Sequence, residues 1–216
     1  MFMAGALGEL IVKYFNRHLS LYLALIILFT AGLAGGAVAT QKLSGEQKAD
    51  LTNYLGSVYT ALHKGNAADS PRGEIVYRGI LDNILKTSGL LFVLGLSVIG
   101  SPLILGVVFL RGFVLGFTIG FLVQDAVING LIISTTSILP HNLLIVPALL
   151  VSAAGSLSFA STAFRKLLGL SKESIYGQFA STTFLSLCSS IMLVLAALIE
   201  IYLTPIFIHL TSGYLI

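Results

Sequence analysis

Long apolar runs alternate with short polar segments along this chain, and their lengths predict helices that cross a membrane. The longest run extends from Gly89 to Val123 and contains a single charged residue, Arg111. About 20 residues are enough for one crossing at about 1.5 Å per residue, so this run predicts two crossings joined by a turn at 100–102. Pro102 suits the first turn of the second helix, where its missing N–H has no partner to lose.

The same pattern predicts five crossings in all. They lie at about 19–40, 84–100, 102–123, 126–162 and 178–202. The fourth segment is too long for a single span and is interrupted by Pro140, His141, Asn142 and Pro147, so we predict a broken or re-entrant element. Irregular backbone at membrane depth needs cover from protein or water, and the break should therefore face the bundle interior or a cavity.

Two segments outside the crossings have apolar residues on one side only. In residues 7–15 the apolar positions form one helical stripe, which predicts a short interfacial helix before the first crossing. In the polar loop at about 41–78, apolar residues recur at helical spacing and predict an amphipathic helix. These loop residues include Leu51, Leu55, Val58 and Tyr59.

The basic residues predict the orientation of the bundle. Lys13 and Arg17 precede the first crossing, and Arg165, Lys166 and Lys172 lie between the fourth and fifth. Short loops rich in lysine and arginine stay in the cytoplasm, so we expect a cytoplasmic N-terminus and an external C-terminus. The loop at 41–78 is then extracytoplasmic.

Composition supports a membrane protein independently. Hydrophobic residues make up 56% of the 216 residues and charged residues only 10%, whereas soluble domains carry about 25% charge. The mean hydropathy is +0.96. We expect an all-α, polytopic transmembrane bundle in the cell membrane, with residues 1–216 as one integral membrane domain. The net charge of +3 does not indicate nucleic-acid binding, because basic residues are spread along helix flanks and interleaved with acids.

One face of the third crossing carries glycines at every fourth position, namely Gly112, Gly116 and Gly120. Such small-residue steps allow a second helix to approach until the backbones touch. Packing within the chain and docking to a second copy or a partner helix both fit this pattern.

Two charged residues lie within predicted crossings. Arg111 is deep in the third crossing, where a charge costs about 3 kcal/mol unless it snorkels or finds a partner. Glu200 is the acidic residue of the fifth crossing. The sequence therefore allows an Arg111–Glu200 pair, and it equally allows both residues to lie at the interface.

Candidate chemistry is sparse. His141 could act as a proton relay or ligand, but without a second ligand at suitable spacing it predicts no metal site. Together with Asn142 it could instead cap the half-helix that follows the break. The chain has no hydrolase, Walker or dinucleotide-binding motif, so we expect a protein that is not an enzyme and uses no cofactor.

Several motifs closely resemble the stage II sporulation protein M family of endospore-forming bacteria. They are LGLSVIGSP beginning at Leu94, FLRG at Phe109, FTIGFLV at Phe117 and ILPHNLLIVPA at Ile138. The resemblance covers most of the chain and is weakest over residues 41–75. It implies a role in engulfment, in the septal or engulfing membrane of the mother cell.

Members of this family assemble with a peptidoglycan amidase and a lytic transglycosylase into a wall-degrading machine. By that resemblance, the chain is the non-enzymatic scaffold that anchors and positions both hydrolases. The expected docking segments are the loop at 41–78 and the short outer loop at 124–130. The bilayer and a second copy of the chain are the other expected partners. A pore or transporter subunit, with a cavity at the broken helix near Pro140, is the alternative that the sequence leaves open.

Overall fold

The computed structural model describes the backbone of residues 2–53, 89–97, 100–125, 127–170 and 175–212. Side chains are described within residues 18–53, 89–97, 100–124, 141–170 and 175–199. The regular elements in these ranges are six helices. In chain order they are α1 (Phe2–Gln41), α2 (45–53), α3 (Leu90–Leu96), α4 (Ser101–Asp125), α5 (Val127–Leu167) and α6 (Ile175–Ser212).

Four described segments are long and apolar enough to cross a membrane. They are His18–Gln41, Ser101–Gln124, His141–Leu167 and Ile175–Ile199. They correspond to the first, third, fourth and fifth crossings of the prediction. The second predicted crossing, 84–100, is described only in part, and there α3 has seven residues. That crossing, and with it the count of five, stays a prediction.

The predicted break in the fourth crossing is wrong. Helix α5 is continuous for 41 residues and runs through Pro140, His141, Asn142 and Pro147. A proline inside a helix removes one backbone hydrogen bond and costs about 3 kcal/mol. Unwinding the segment would instead leave several backbone groups without partners in lipid, each at a cost of several kcal/mol. A continuous helix with two prolines is therefore the less costly arrangement.

A separate interfacial helix before the first crossing is also not observed. Helix α1 extends over 40 residues from Phe2 to Gln41, so the amphipathic stripe at 7–15 and the first crossing belong to one helix. No proline interrupts this stretch. The polar residues at 16–18 do not end a helix, because they provide neither a C-terminal glycine turn nor a proline.

Two turns use recognisable capping chemistry. Before α2, the Ser44 amide donates to Gln47 Oε1 over 3.0 Å and the Gln47 amide donates to Ser44 Oγ over 3.3 Å, forming a capping box. After α5, Gly169 has φ of 71°, and the Leu170 amide donates to the Arg165 carbonyl over 2.8 Å. This left-handed glycine turns the chain back toward α6.

Helices α1 and α4 run parallel, because the residues that meet increase together along both helices. Phe29 meets Gly112, and Leu33 meets Gly116. Helix α5 runs antiparallel to α6, since Thr182 contacts Gly155 while the later Ser189 contacts the earlier Ala148.

Helix α5 is the central element of the bundle. Its residues 152–160 are all buried. On one side it packs with α1, α3 and α4 around Leu25, Leu91, Ile104, Val108 and Leu149. On the other side, Ile145 and Ala148 pack against Leu193 and Ala196 of α6. Large apolar side chains on the outer faces of α1, α4 and α6 are exposed, as lipid-facing residues are expected to be.

Candidate functional site

The glycine face of α4 packs directly against α1. A Cβ atom added at Gly112 would overlap the carbonyl oxygen of Phe29, and one at Gly116 would overlap that of Leu33. A Cβ atom at Gly120 would lie 3.1 Å from a Cα atom of α1. No larger residue fits at the first two positions, because the two backbones are in contact there.

Helix α1 contributes glycines of its own to this interface. A Cβ atom at Gly32 would overlap the Phe109 carbonyl oxygen, and one at Gly36 would overlap that of Phe113. Gly106, on another face of α4, has open space around it. The structure thus places the predicted glycine face in an interface within the chain, and a homodimer through the same face would have to displace α1.

A polar clamp joins three helix ends at one end of the bundle. Gln124 Nε2, near the end of α4, donates to Oγ1 of the buried Thr40 in α1 over 2.7 Å. Lys48 Nζ of α2 donates to Gln124 Oε1 over 3.2 Å. Gln124 therefore bridges the last turn of α1 and the first turns of α2. The clamp fixes where the polar loop begins relative to the membrane helices.

A membrane cavity of about 200 Å³ lies between α4 and α5. It is lined by Arg111, Val114, Leu115, Thr118, His141 and Asn142. Arg111 is near the middle of α4, about 15 Å from its start and about 21 Å from its end at about 1.5 Å per residue. The structure thus brings Arg111 together with two residues of the predicted break, although the break itself is absent.

His141 and Asn142 do not cap a half-helix as predicted, because α5 has no helix start at this point. Instead, His141 Nε2 lies 3.0 Å from Asn142 Nδ2. The other ring nitrogen, Nδ1, is buried and has no hydrogen-bond partner. The imidazole therefore presents an unmatched polar atom inside the membrane, where such an atom is costly.

The remaining candidate residues lie partly or wholly outside the described side chains. Glu200 belongs to α6, but its side chain is among those not described, so the pair with Arg111 stays a prediction. Leu51 lies in α2 and is half-buried. Leu55, Val58 and Tyr59, the other predicted docking residues, lie outside the described residues.

Sequence reasoning missed a second polar connection, at the opposite end of the bundle. Ser158 Oγ of α5 lies 2.9 Å from His18 Nε2 of α1, and Gln178 Nε2 of α6 donates to the same hydroxyl over 2.6 Å. One serine thus ties three helices together. The available signal was the group of serines at 152, 156 and 158 inside an apolar segment, since polar residues within crossings face other helices.

Hydroxyl groups also line the seam between α5 and α6. Thr182 Oγ1 donates to the Gly155 carbonyl over 3.1 Å, and Ser189 Oγ donates to the Ala148 carbonyl. These bonds cross between helices that also approach closely at small residues. They hold α6 against the central helix by the chemistry typical of membrane bundles.

The described Ser158 and His18 side chains connect helices and do not have the arrangement of a hydrolytic site. Ser158 and His18 are within the distance of a nucleophile and its base, but Ser158 is 5% exposed and its oxygen already accepts from Gln178. No group of three metal-ligating side chains occurs among the described residues.

Comparison with known proteins identifies the family. The family model for Stage II sporulation protein M matches residues 25–205. An uncharacterized protein of Methanocaldococcus jannaschii is 28% identical over 183 residues, which cover 83% of this chain and 91% of that protein. No solved structure matches.

Proposed function

Because the chain belongs to the Stage II sporulation protein M family, we propose that it is a non-enzymatic membrane scaffold for wall remodelling during engulfment. Membership and the four apolar helices indicate a sporulation membrane protein. The family is not known as an enzyme family. In the proposal, the chain anchors a peptidoglycan amidase and a lytic transglycosylase at the septal or engulfing membrane of the mother cell.

The polar clamp is the observation that carries this proposal. A scaffold must present its docking segment in a defined position, and the clamp holds the start of the polar loop on two membrane helices at once. The α1–α4 interface beneath it is stiff, because its backbones touch through glycine. The hydrolases would dock on the loop at 41–78, whose sequence predicts an amphipathic helix over Leu51, Leu55, Val58 and Tyr59.

Replacement of Leu55, Val58 and Tyr59 by serine tests the docking role. We expect the triple variant to insert normally, since none of the three residues lies in a described span, and to lose both hydrolases in a pull-down from sporulating membranes. The control replaces Asp50 and Asn53, two exposed residues of α2, by serine and should retain both enzymes. Normal recovery of the hydrolases with the triple variant would contradict docking through this surface.

The non-enzymatic part of the proposal has its own measurement. Purified protein alone should release no soluble fragments from peptidoglycan. Fragments should appear only when the two hydrolases are added. Cleavage by the chain alone, retained when Ser158 and His18 are replaced by alanine, would point to a catalytic site elsewhere. Loss of cleavage in those variants would assign it to the buried serine and histidine.

A second candidate function is a permease subunit, which the membrane cavity favours. Polar residues that line a cavity at mid-membrane are a common feature of transport pathways. The measurement is co-purification, because an ATPase subunit recovered with the chain, in place of wall hydrolases, would support a transport assembly. In that case Arg111→Gln should abolish solute flux into vesicles while leaving the ATPase bound.

A further inference from the structure

The hairpin that joins α5 to α6 exposes apolar and basic side chains together. Its described residues at the turn, 164–170 and 175–176, are called the hairpin tip below. Leu167, Leu170 and Tyr176 are each at least 75% exposed. Arg165 and Lys166 lie next to them in the last turn of α5. Exposed apolar side chains grouped in this way mark an interaction surface.

The hairpin tip lies outside the helix bundle. Residues 152–160 of α5 are all buried, whereas residues 164–170 are all exposed. A membrane helix that faces lipid on one side keeps its other side against its neighbours. Exposure on every side of the last turn therefore means that α5 has left the bundle there. The apolar side chains of the tip need a cover that the described part of the chain does not provide.

The two polar connections locate the tip relative to the bilayer. From His18 to the polar clamp, α1 runs for 22 residues or about 33 Å, which matches a hydrocarbon core about 30 Å thick. Leu167 lies nine residues beyond Ser158 on α5, about 14 Å further out. On α6, Tyr176 lies two residues before Gln178, about 3 Å further out. The tip therefore begins at the hydrocarbon boundary and crosses the headgroup layer.

The charge of the hairpin favours an anionic surface. Residues 161–178 contain three basic residues, Arg165, Lys166 and Lys172, and one acidic residue, Glu173, so their net charge is +2. This formal charge does not depend on the hydrogen bonds that the side chains make. Side chains of a helix lean toward its N-terminus, so those of the last turn of α5 lean back toward the bilayer.

We propose that the hairpin tip binds anionic phospholipid headgroups of the membrane that the helices cross. The boundary of such a membrane offers apolar carbon and negative phosphate side by side, and the tip offers the matching apolar and basic side chains. Leu167, Leu170 and Tyr176 would lie among the glycerol groups and upper acyl chains, with the basic side chains at the phosphates. This inference does not depend on the scaffold role.

A fluorescence experiment on the full chain tests the proposal, because the chain contains no tryptophan. Tyr176→Trp places a single tryptophan in the tip by an aromatic exchange at an exposed position. The variant is placed in phosphatidylcholine nanodiscs that contain an equal minor fraction of either brominated phosphatidylglycerol or brominated phosphatidylcholine. We expect the anionic lipid to be preferred at least about fivefold in quenching, the ratio for one basic side chain at an anionic surface.

Two substitutions in the Tyr176→Trp background show whether the charge of the tip causes the preference. Arg165→Gln should lower it about fivefold, and added salt should lower it as well. Lys42→Gln is the matched control, because it removes an exposed lysine at the other end of the bundle and should leave the preference unchanged. Leu170→Trp is a second probe, which keeps the test valid if Tyr176→Trp lowers the unfolding midpoint.

Two outcomes would overturn the proposal. In the first, the tryptophan emits as it does in water at both probe positions and neither brominated lipid quenches it. The tip would then lie in the aqueous phase, where a soluble protein would be its partner. In the second, both lipids quench equally, or Arg165→Gln leaves the preference unchanged, which would make the tip an ordinary helix end in lipid.

Discussion

Single glycines set the distance between α1 and α4. At Gly116 even one added carbon atom would overlap the Leu33 carbonyl oxygen, whereas the space beside Gly106 on the same helix is open. Both positions are glycines of α4, but Gly116 is packed against the backbone of α1 whereas Gly106 has no neighbour there. They therefore separate the effect of packing from the general effect of placing a side chain in a membrane helix.

We expect Gly116→Leu to separate α1 from α4, since lipid offers no hydrophobic force to hold helices that cannot touch. The free energy of unfolding should fall by more than about 3 kcal/mol, the upper range for overpacked cores. The matched control, Gly106→Ala, should be neutral or slightly stabilising. Abundance and unfolding midpoint in membranes are the measurements, and normal values for Gly116→Leu would show that α4 does not pack on α1 through this face.

The side chain of Ser189 is expected to make a smaller contribution to the free energy of unfolding. Its hydroxyl donates to the Ala148 carbonyl across the α5–α6 seam, and the residue is 1% exposed. Ser189→Ala should lower the free energy of unfolding by about 0.6 kcal/mol, the average for such bonds in membrane proteins. The control is Ser181→Ala, because Ser181 Oγ donates to the Gly177 carbonyl of its own helix. An equal effect in both variants would mean that the bond between helices adds nothing.

At the scale of elements, α5 determines the architecture because it packs on α1, α3, α4 and α6. It remains continuous through two prolines whose positions predict a break. Pro147 is exposed, so its ring faces away from the core and its main cost is the missing hydrogen bond within the helix. In a continuous helix, a substitution that restores this hydrogen bond should therefore increase the stability of the protein.

Pro147→Ala should therefore stabilise the protein by up to about 3 kcal/mol, since alanine restores the bond to the carbonyl four residues earlier. Thermal unfolding in nanodiscs measures the change. Pro102→Ala is the control and should have little effect, because Pro102 lies in the first turn of α4, where no such bond is formed. Destabilisation by Pro147→Ala would indicate that the native segment needs a bend there.

At the scale of the whole molecule, the polar clamp and the His18–Ser158–Gln178 connection lie at opposite ends of the bundle. One joins the ends of α1 and α4, and the other joins α1, α5 and α6. The parallel α1–α4 pair requires that the chain return across the membrane between them if both helices span it in the same direction. This requirement agrees with the predicted crossing at 84–100, of which α3 is the described part.

Cysteine labelling tests the orientation. In a variant whose native Cys188 is replaced by alanine, cysteines at Lys64 and Asp125 should react with an impermeant thiol reagent added outside the cell. A cysteine at Lys172 should react only after the membrane is opened, because lysine- and arginine-rich loops stay inside. The reverse pattern would invert the topology and place the proposed docking loop in the cytoplasm.

The apolar runs and the glycine spacing were sufficient to predict four long apolar helices and a close helix contact. Hydropathy predicts spans well because a backbone in lipid must satisfy its own hydrogen bonds, so an apolar run of sufficient length becomes a helix. The spacing of Gly112, Gly116 and Gly120 predicted which face of α4 packs closely against another helix, since residues four apart lie on one side of a helix. These are local properties, and they follow from the order of residues alone.

Only the tertiary structure decided which faces meet. It selected α1 as the partner of the glycine face, placed Arg111 beside His141, and joined His18 to Ser158 across 140 positions of sequence. It also decided that Pro140 and Pro147 remain in one helix. The cost of the hydrogen bond that a proline removes is local. The cost of unwinding the helix at that point depends instead on what surrounds the backbone. The physical reason is that contacts between distant residues depend on helix packing, which no local pattern contains.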